Sequence, residues 1–266
     1  MLAGVFAGIV CFCFLKVAGE PAVDRAIAFE TQMDEAKAHA KTETPLAHDH
    51  NHDHDHHGHD HAQAAVQDEP EPELVSRSTQ AGIGLFTGAM VYSAAFGGLF
   101  GLAFAFVYGR MGPTDPRTVS VLLASAGFIA VYLVPDLKYP ASPPSVGAAD
   151  TIGMRTALYF AMIGISLAAT VGCAVLRKAL LPRYGDWNAT LITLAAYLCL
   201  VTVAGLLLPV VNEVPDAFPA SLLWQFRVAA LGAQALMWAT IGLVFGVLTE
   251  RERVTLHPKA SPLLEQ

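Results

Sequence analysis

Five long uncharged runs constrain this chain more than anything else in its 266 residues. They cover residues 82–108, 118–135, 156–176, 188–211 and 228–248, and each is at least 18 residues long without Asp, Glu, Lys or Arg. A helix needs roughly 20 mostly apolar residues to cross a bilayer. Residues 1–19 form a sixth, weaker run, interrupted near its end by Lys16, where a lysine can snorkel to the interface. This run reads as a retained helix or as a cleaved signal peptide ending at Ala18 and Gly19; the lack of a basic n-region favours retention. Buried helices of a soluble core do not call for so many runs of this kind. The expected fold class is an all-α integral membrane protein with five to six transmembrane helices.

Composition agrees. The chain is 54% hydrophobic and 15% charged, with mean hydropathy +0.46, whereas soluble domains average about 25% charged residues. A net charge of -7 and the absence of a basic stretch argue against nucleic acid as a partner. Cys11, Cys13, Cys173 and Cys199 lie inside apolar runs without CxxC spacing, so they form neither a disulfide framework nor a zinc site. No Walker A, Gly-x-Ser-x-Gly or His-Glu-x-x-His motif occurs, which argues against an enzyme and against ATP coupling within this chain.

Charge is concentrated between the first two runs. Residues 20–81 hold 14 of the 23 acidic residues and 4 of the 16 basic ones, a net of -10 that leaves +3 for the rest. Eight of the ten histidines fall in one tract: His48, His50, His52, His54, His56, His57, His59 and His61, interleaved with Asp49, Asp53, Asp55 and Asp60. Imidazole binds zinc, nickel, cobalt and copper, and carboxylates add oxygen donors and negative charge. The repeat offers many alternative ligand sets rather than one geometry, which suits capture and hand-off. Glu-Pro-Glu-Pro-Glu at 69–73 and the polar flanks cannot form a core, so the tract is expected in a disordered loop. Residues 21–41 are expected to form a short amphipathic helix before it, with Pro21 near its start.

Basic residues set the orientation. Arg110 and Arg117 lie in loop 109–117, and Arg177, Lys178 and Arg183 in loop 177–187. Arg251, Arg253 and Lys259 lie in the tail 250–266, whereas loops 136–152 and 212–223 carry only Lys138. Under the positive-inside rule both termini are cytoplasmic and segment 20–81 lies outside. Gly84 and Gly88, then Gly97 and Gly101, are spaced for close helix packing. Trp187 and Trp224 suit an interfacial belt. Gln234, a lone polar residue in the last run, suits an interhelical hydrogen bond better than metal ligation.

The two outer connections resemble each other. One contains Pro135, then Tyr139-Pro140-Ala141-Ser142, then Arg155; the other contains Pro209, then Phe218-Pro219-Ala220-Ser221, then Arg227. A parallel internal repeat would explain this. Asp136, Glu213 and Asp216 sit near the helix ends and read either as interfacial anchors or as an outer vestibule for a cation. Arg155 and Arg227 then serve as structural partners, since they repel cations.

The order of these features carries a family resemblance. Gly19-Glu20-Pro21, Phe29-Glu30 and the His/Asp tract come first. Leu137-Lys138-Tyr139-Pro140, Asp150-Thr151-Ile152-Gly153 and Asp186-Trp187-Asn188 follow. Asn212-Glu213-Val214-Pro215, Phe218-Pro219-Ala220 and Phe226-Arg227 complete the series. Together they resemble the CbtA family of proposed cobalt-transporter subunits. The resemblance implies a multi-pass protein of the bacterial inner membrane, linked to cobalt supply for cobalamin synthesis. It also implies a small CbtB-like partner with one membrane helix and its own histidine motif.

Two functions are therefore expected. In the first, the chain is a component of a divalent-metal uptake system, cobalt first and nickel or zinc as alternatives, without a permanent cofactor. In the second, it is an accessory membrane protein that buffers metal or delivers it to another transporter.

Overall fold

The structure is a computed structural model, and it describes residues 1–42, 75–110 and 114–256. The described residues are helical, with no strand among them. Five helices are long and apolar enough to cross a membrane.

The first, α1, runs through residues 2–42 without a break: Leu2–Phe14, a π-helical stretch Leu15–Gly19, then Glu20–Thr42. The expected membrane helix and the expected amphipathic helix are thus one rod. Pro21 has no N–H to donate to the preceding turn, and the wider π stretch just before it absorbs that misfit. The Lys16 Nζ donates to the Ala81 carbonyl at 2.9 Å, near the start of the next apolar run.

The second helix, α2 (Arg77–Val107), lies along α1. Small residues permit this: a Cβ on Gly97 would lie 2.7 Å from the Cα of Gly4, and one on Gly8 would lie 3.0 Å from the Cα of Met90. Of the glycines singled out in α2, Gly97 is therefore the one at the α1 crossing. Gly88 faces open space, and Gly101 meets the ring of Phe245.

The third helix, α3 (Pro116–Lys138), starts at an Asp115 cap whose side chain accepts the N–H groups of Arg117 and Thr118, with Pro116 in the first turn. A π stretch, Phe128–Leu133, precedes Pro135 near its end.

The fourth helix, α4 (Ile152–Leu207), has 56 residues. Straight, it would extend about 84 Å, far beyond a hydrocarbon core of about 30 Å. It is instead bent at Gly185, which has φ 73° and ψ 172°, a conformation open to glycine and costly for other residues. Its two arms meet again where the Ser166 hydroxyl and the Tyr197 hydroxyl stand 2.8 Å apart. Five long helices thus supply the six apolar segments read from the sequence.

The fifth, α5 (Ala220–Leu256), crosses α1 and α3. Phe100, Phe104, Val119, Met237, Trp238 and Ile241 build the main core where these helices meet. Ser120 donates to the Gly242 carbonyl at 2.7 Å, and Arg117 pairs with Glu250 at one end of the α3–α5 crossing. The α4 hairpin is the least buried of the five helices and packs mainly on α3.

A cavity between two connections

At the end of the bundle away from Gly185, the α3–α4 connection (139–151) faces the α4–α5 connection (208–219). Between them lies a cavity of about 450 Å³. It is lined by Asp136 and Tyr132 of α3, by Arg155 and Tyr159 of α4, and by Glu213 and Arg227 of the second connection and α5. Asp136 and Glu213 are thus brought to one cavity. Asp216 is exposed and lies outside its lining.

Each arginine reaches the opposite connection. The Nε of Arg155 stands 3.3 Å from Glu213 Oε2, and the Nε of Arg227 donates to the Ala141 carbonyl at 3.3 Å. Tyr139 adds a third tie, its hydroxyl donating to the Pro209 carbonyl at 2.9 Å. Glu213 also accepts the Ala148 N–H at 2.9 Å. A hydrogen bond from the Thr151 hydroxyl, the Ala148 N–H and then the Arg155 charge hold its carboxyl below the usual carboxylate range. Gly147, at φ +112°, packs directly on the Arg155 guanidinium; a side chain there would occupy the same space.

Asp136 is bound differently. It accepts the Ala141 N–H at 3.3 Å and is hydrogen-bonded to the Tyr132 hydroxyl. It has no direct ion pair among the described residues, although Arg227 lies near enough to act on it electrostatically. Two carboxylates and two guanidiniums make the cavity's formal charge zero. It is therefore a mixed polar chamber rather than a simple acidic funnel.

The rod α1 passes over this end of the bundle. Ala22, Ala26 and Phe29, spaced to share one helical face, pack on Val146, Phe218 and Leu222. Arg77 pairs with Glu20 at 2.7 Å and Asp24 at 2.9 Å. The tract from His48 to His61, with Asp49, Asp53, Asp55 and Asp60, lies outside the described residues. Among the described residues no three His, Cys, Asp or Glu side chains cluster to hold a metal. Gln234 donates to the Tyr92 hydroxyl at 3.2 Å, the interhelical bond expected of it.

Sequence reasoning missed Tyr132 and Tyr159, which lie in uncharged runs and read there as apolar filling. It also missed the covering face of α1, although the 22, 26, 29 spacing was present to be read.

Five helices of spanning length, packed through small residues and aromatic rings, define a multi-pass helical membrane protein with a polar chamber at one end. A family model described as a probable cobalt transporter subunit (CbtA) matches residues 1–250. The chain belongs to the CbtA family. That family is a class of transporter subunits rather than of enzymes, and the ion it implies as cargo is cobalt. Neither a curated protein nor a solved structure matches the chain at a significant level.

Proposed function

We propose that the chain is the membrane subunit of a divalent-metal uptake system, with cobalt as its first cargo. The His/Asp tract captures the ion outside the cell, and the chamber at Asp136 receives it. The observation that carries this reading is the anchoring of the tract's flanks. Residues 22–29 pack on the connections that bound the chamber, and Arg77 is tied to Glu20 and Asp24 beside them. The described residues before and after the ligand-rich segment are thus held together beside the chamber, where Asp136 lacks a direct arginine pair. Weak, exchangeable imidazole and carboxylate sets suit such a transfer. The positive-inside pattern supports placing this end outside and both termini in the cytoplasm. A small single-helix partner remains part of the proposal, because the family description is that of a subunit.

The accessory reading, delivery of metal to another transporter, is favoured by the chamber's zero formal charge and by the tight α1–α2 crossing at Gly4 and Gly97. Cobalt uptake at limiting metal, in cells carrying the full chain or a chain lacking residues 48–61, tests capture. Reduced uptake is expected, and unchanged uptake would overturn the capture role. Cobalt flux into liposomes holding the purified chain separates transport from delivery.

A further inference from the structure

A second cavity, of about 550 Å³, lies between α3 and both arms of the α4 hairpin. Ile129 and Leu133 of α3, Ala174 of the first arm, and Leu194 and Leu198 of the second form its apolar walls, and Arg177 stands in its lining. We propose that this cleft holds an acyl chain of an anionic phospholipid, with the phosphate at the Arg177 end.

The charge at that end supports this occupant. Arg177 is fixed in place, its Nε donating to the Thr190 hydroxyl at 3.0 Å and its guanidinium pairing with Asp186. Lys178 and Arg183 are exposed beside the same bend. Residues 177–186 thus carry three cations against one carboxylate. Tyr184 and Trp187, 41% and 75% exposed, sit at this bend, and exposed aromatic rings of this kind favour the headgroup layer. An apolar cleft between membrane helices that ends in cations at headgroup depth is a binding geometry for anionic lipid. The α4 hairpin is also the least buried helix of the bundle, so a bound lipid would supply packing that the protein does not. None of these residues belongs to the chamber or to the tract.

Native mass spectrometry of the full chain in detergent tests it, with phosphatidylglycerol and phosphatidylcholine of matched chains as probes. Phosphatidylglycerol should be retained preferentially. Lys178→Gln with Arg183→Gln should cut that preference roughly tenfold or more, at about 1 kcal/mol for each cation near an anionic lipid. Ala174→Phe should reduce retention of both lipids, and Leu194→Phe on the opposite wall serves if that variant proves unstable. Equal retention of the two lipids overturns the proposal, as does a preference that survives loss of the two cations. A dimer that the cleft-filling variant dissociates would show a second copy of the chain in the cleft, and overturns it equally.

Discussion

Arg155 lies in the first turn of α4 and Glu213 in the connection beyond its end, yet they meet at 3.3 Å across the chamber. Their meeting, with the Arg227 and Tyr139 ties, clasps α3, α4 and α5 at that end. Glu213→Gln should therefore loosen the clasp and lower the melting temperature of the purified protein by several degrees at neutral pH. The sign with pH follows from its depressed carboxyl. The stabilisation is fully present above the unfolded value near 4.5 and is lost as pH falls through the lower folded value. Melting curves of wild type and variant should differ at pH 7 and converge well below pH 4.5. A constant difference across that range would show that the charge is not what matters.

Asp136 and Asp216 separate under the proposed function, although the sequence grouped them. Asp136 lines the chamber, and Asp216 is exposed outside it. Asp136→Asn should reduce cobalt uptake several-fold while the protein still reaches the membrane, and Asp216→Asn should leave uptake unchanged. Equal effects of the two variants would remove the chamber from the pathway.

The membrane class and its six apolar segments were legible because hydrocarbon leaves little choice: an uncharged run of this length must be a helix. The helix expected over 21–41 is present and ends at Thr42, but its continuity with the first apolar run was not legible, because the pattern changes from apolar to polar at Glu20. The chamber was half legible. Asp136 and Glu213 announced themselves as charges beside apolar runs, but their pairing with Ala141, Ala148 and Arg155 joins residues up to 65 positions apart. The similar strings at 139–142 and 218–221 also differ in place. The first lines the chamber, whereas Phe218 of the second is buried beneath α1 against Phe29. Glycine spacing gave the right mechanism with incomplete residues, because the partners Gly4 and Gly8 lie in a different helix from the pairs it picked out.

The α3–α5 crossing depends on Ser120, which is fully buried and donates to Gly242 of the facing helix. Ser120→Ala keeps the close approach and removes the bond, so it should cost about 0.5–1.5 kcal/mol. Gly242→Ala instead adds a Cβ 2.6 Å from that of Ala124, and the two helices must separate. Unfolding in graded detergent mixtures should rank Gly242→Ala as the more damaging of the two. The reverse order would mean that the hydrogen bond, not the approach, holds this crossing.

Two glycines of α2 make the sharpest contrast. Gly97 lies against the backbone of Gly4, and a Cβ there has only main-chain atoms to displace, which cannot rotate away. Gly88, nine residues earlier, would place its Cβ in open space. Gly97→Ala should thus force α1 from α2 and cost about 1–3 kcal/mol, the usual range for overpacking. Gly88→Ala should be neutral or slightly stabilising, because alanine has the higher helix propensity. Thermal unfolding of both purified variants decides the matter: equal stability would mean that α1 and α2 do not meet at Gly4 and Gly97. Since the α1 extension carries the tract's flank over the chamber, the same separation should also weaken cobalt uptake in Gly97→Ala and spare it in Gly88→Ala.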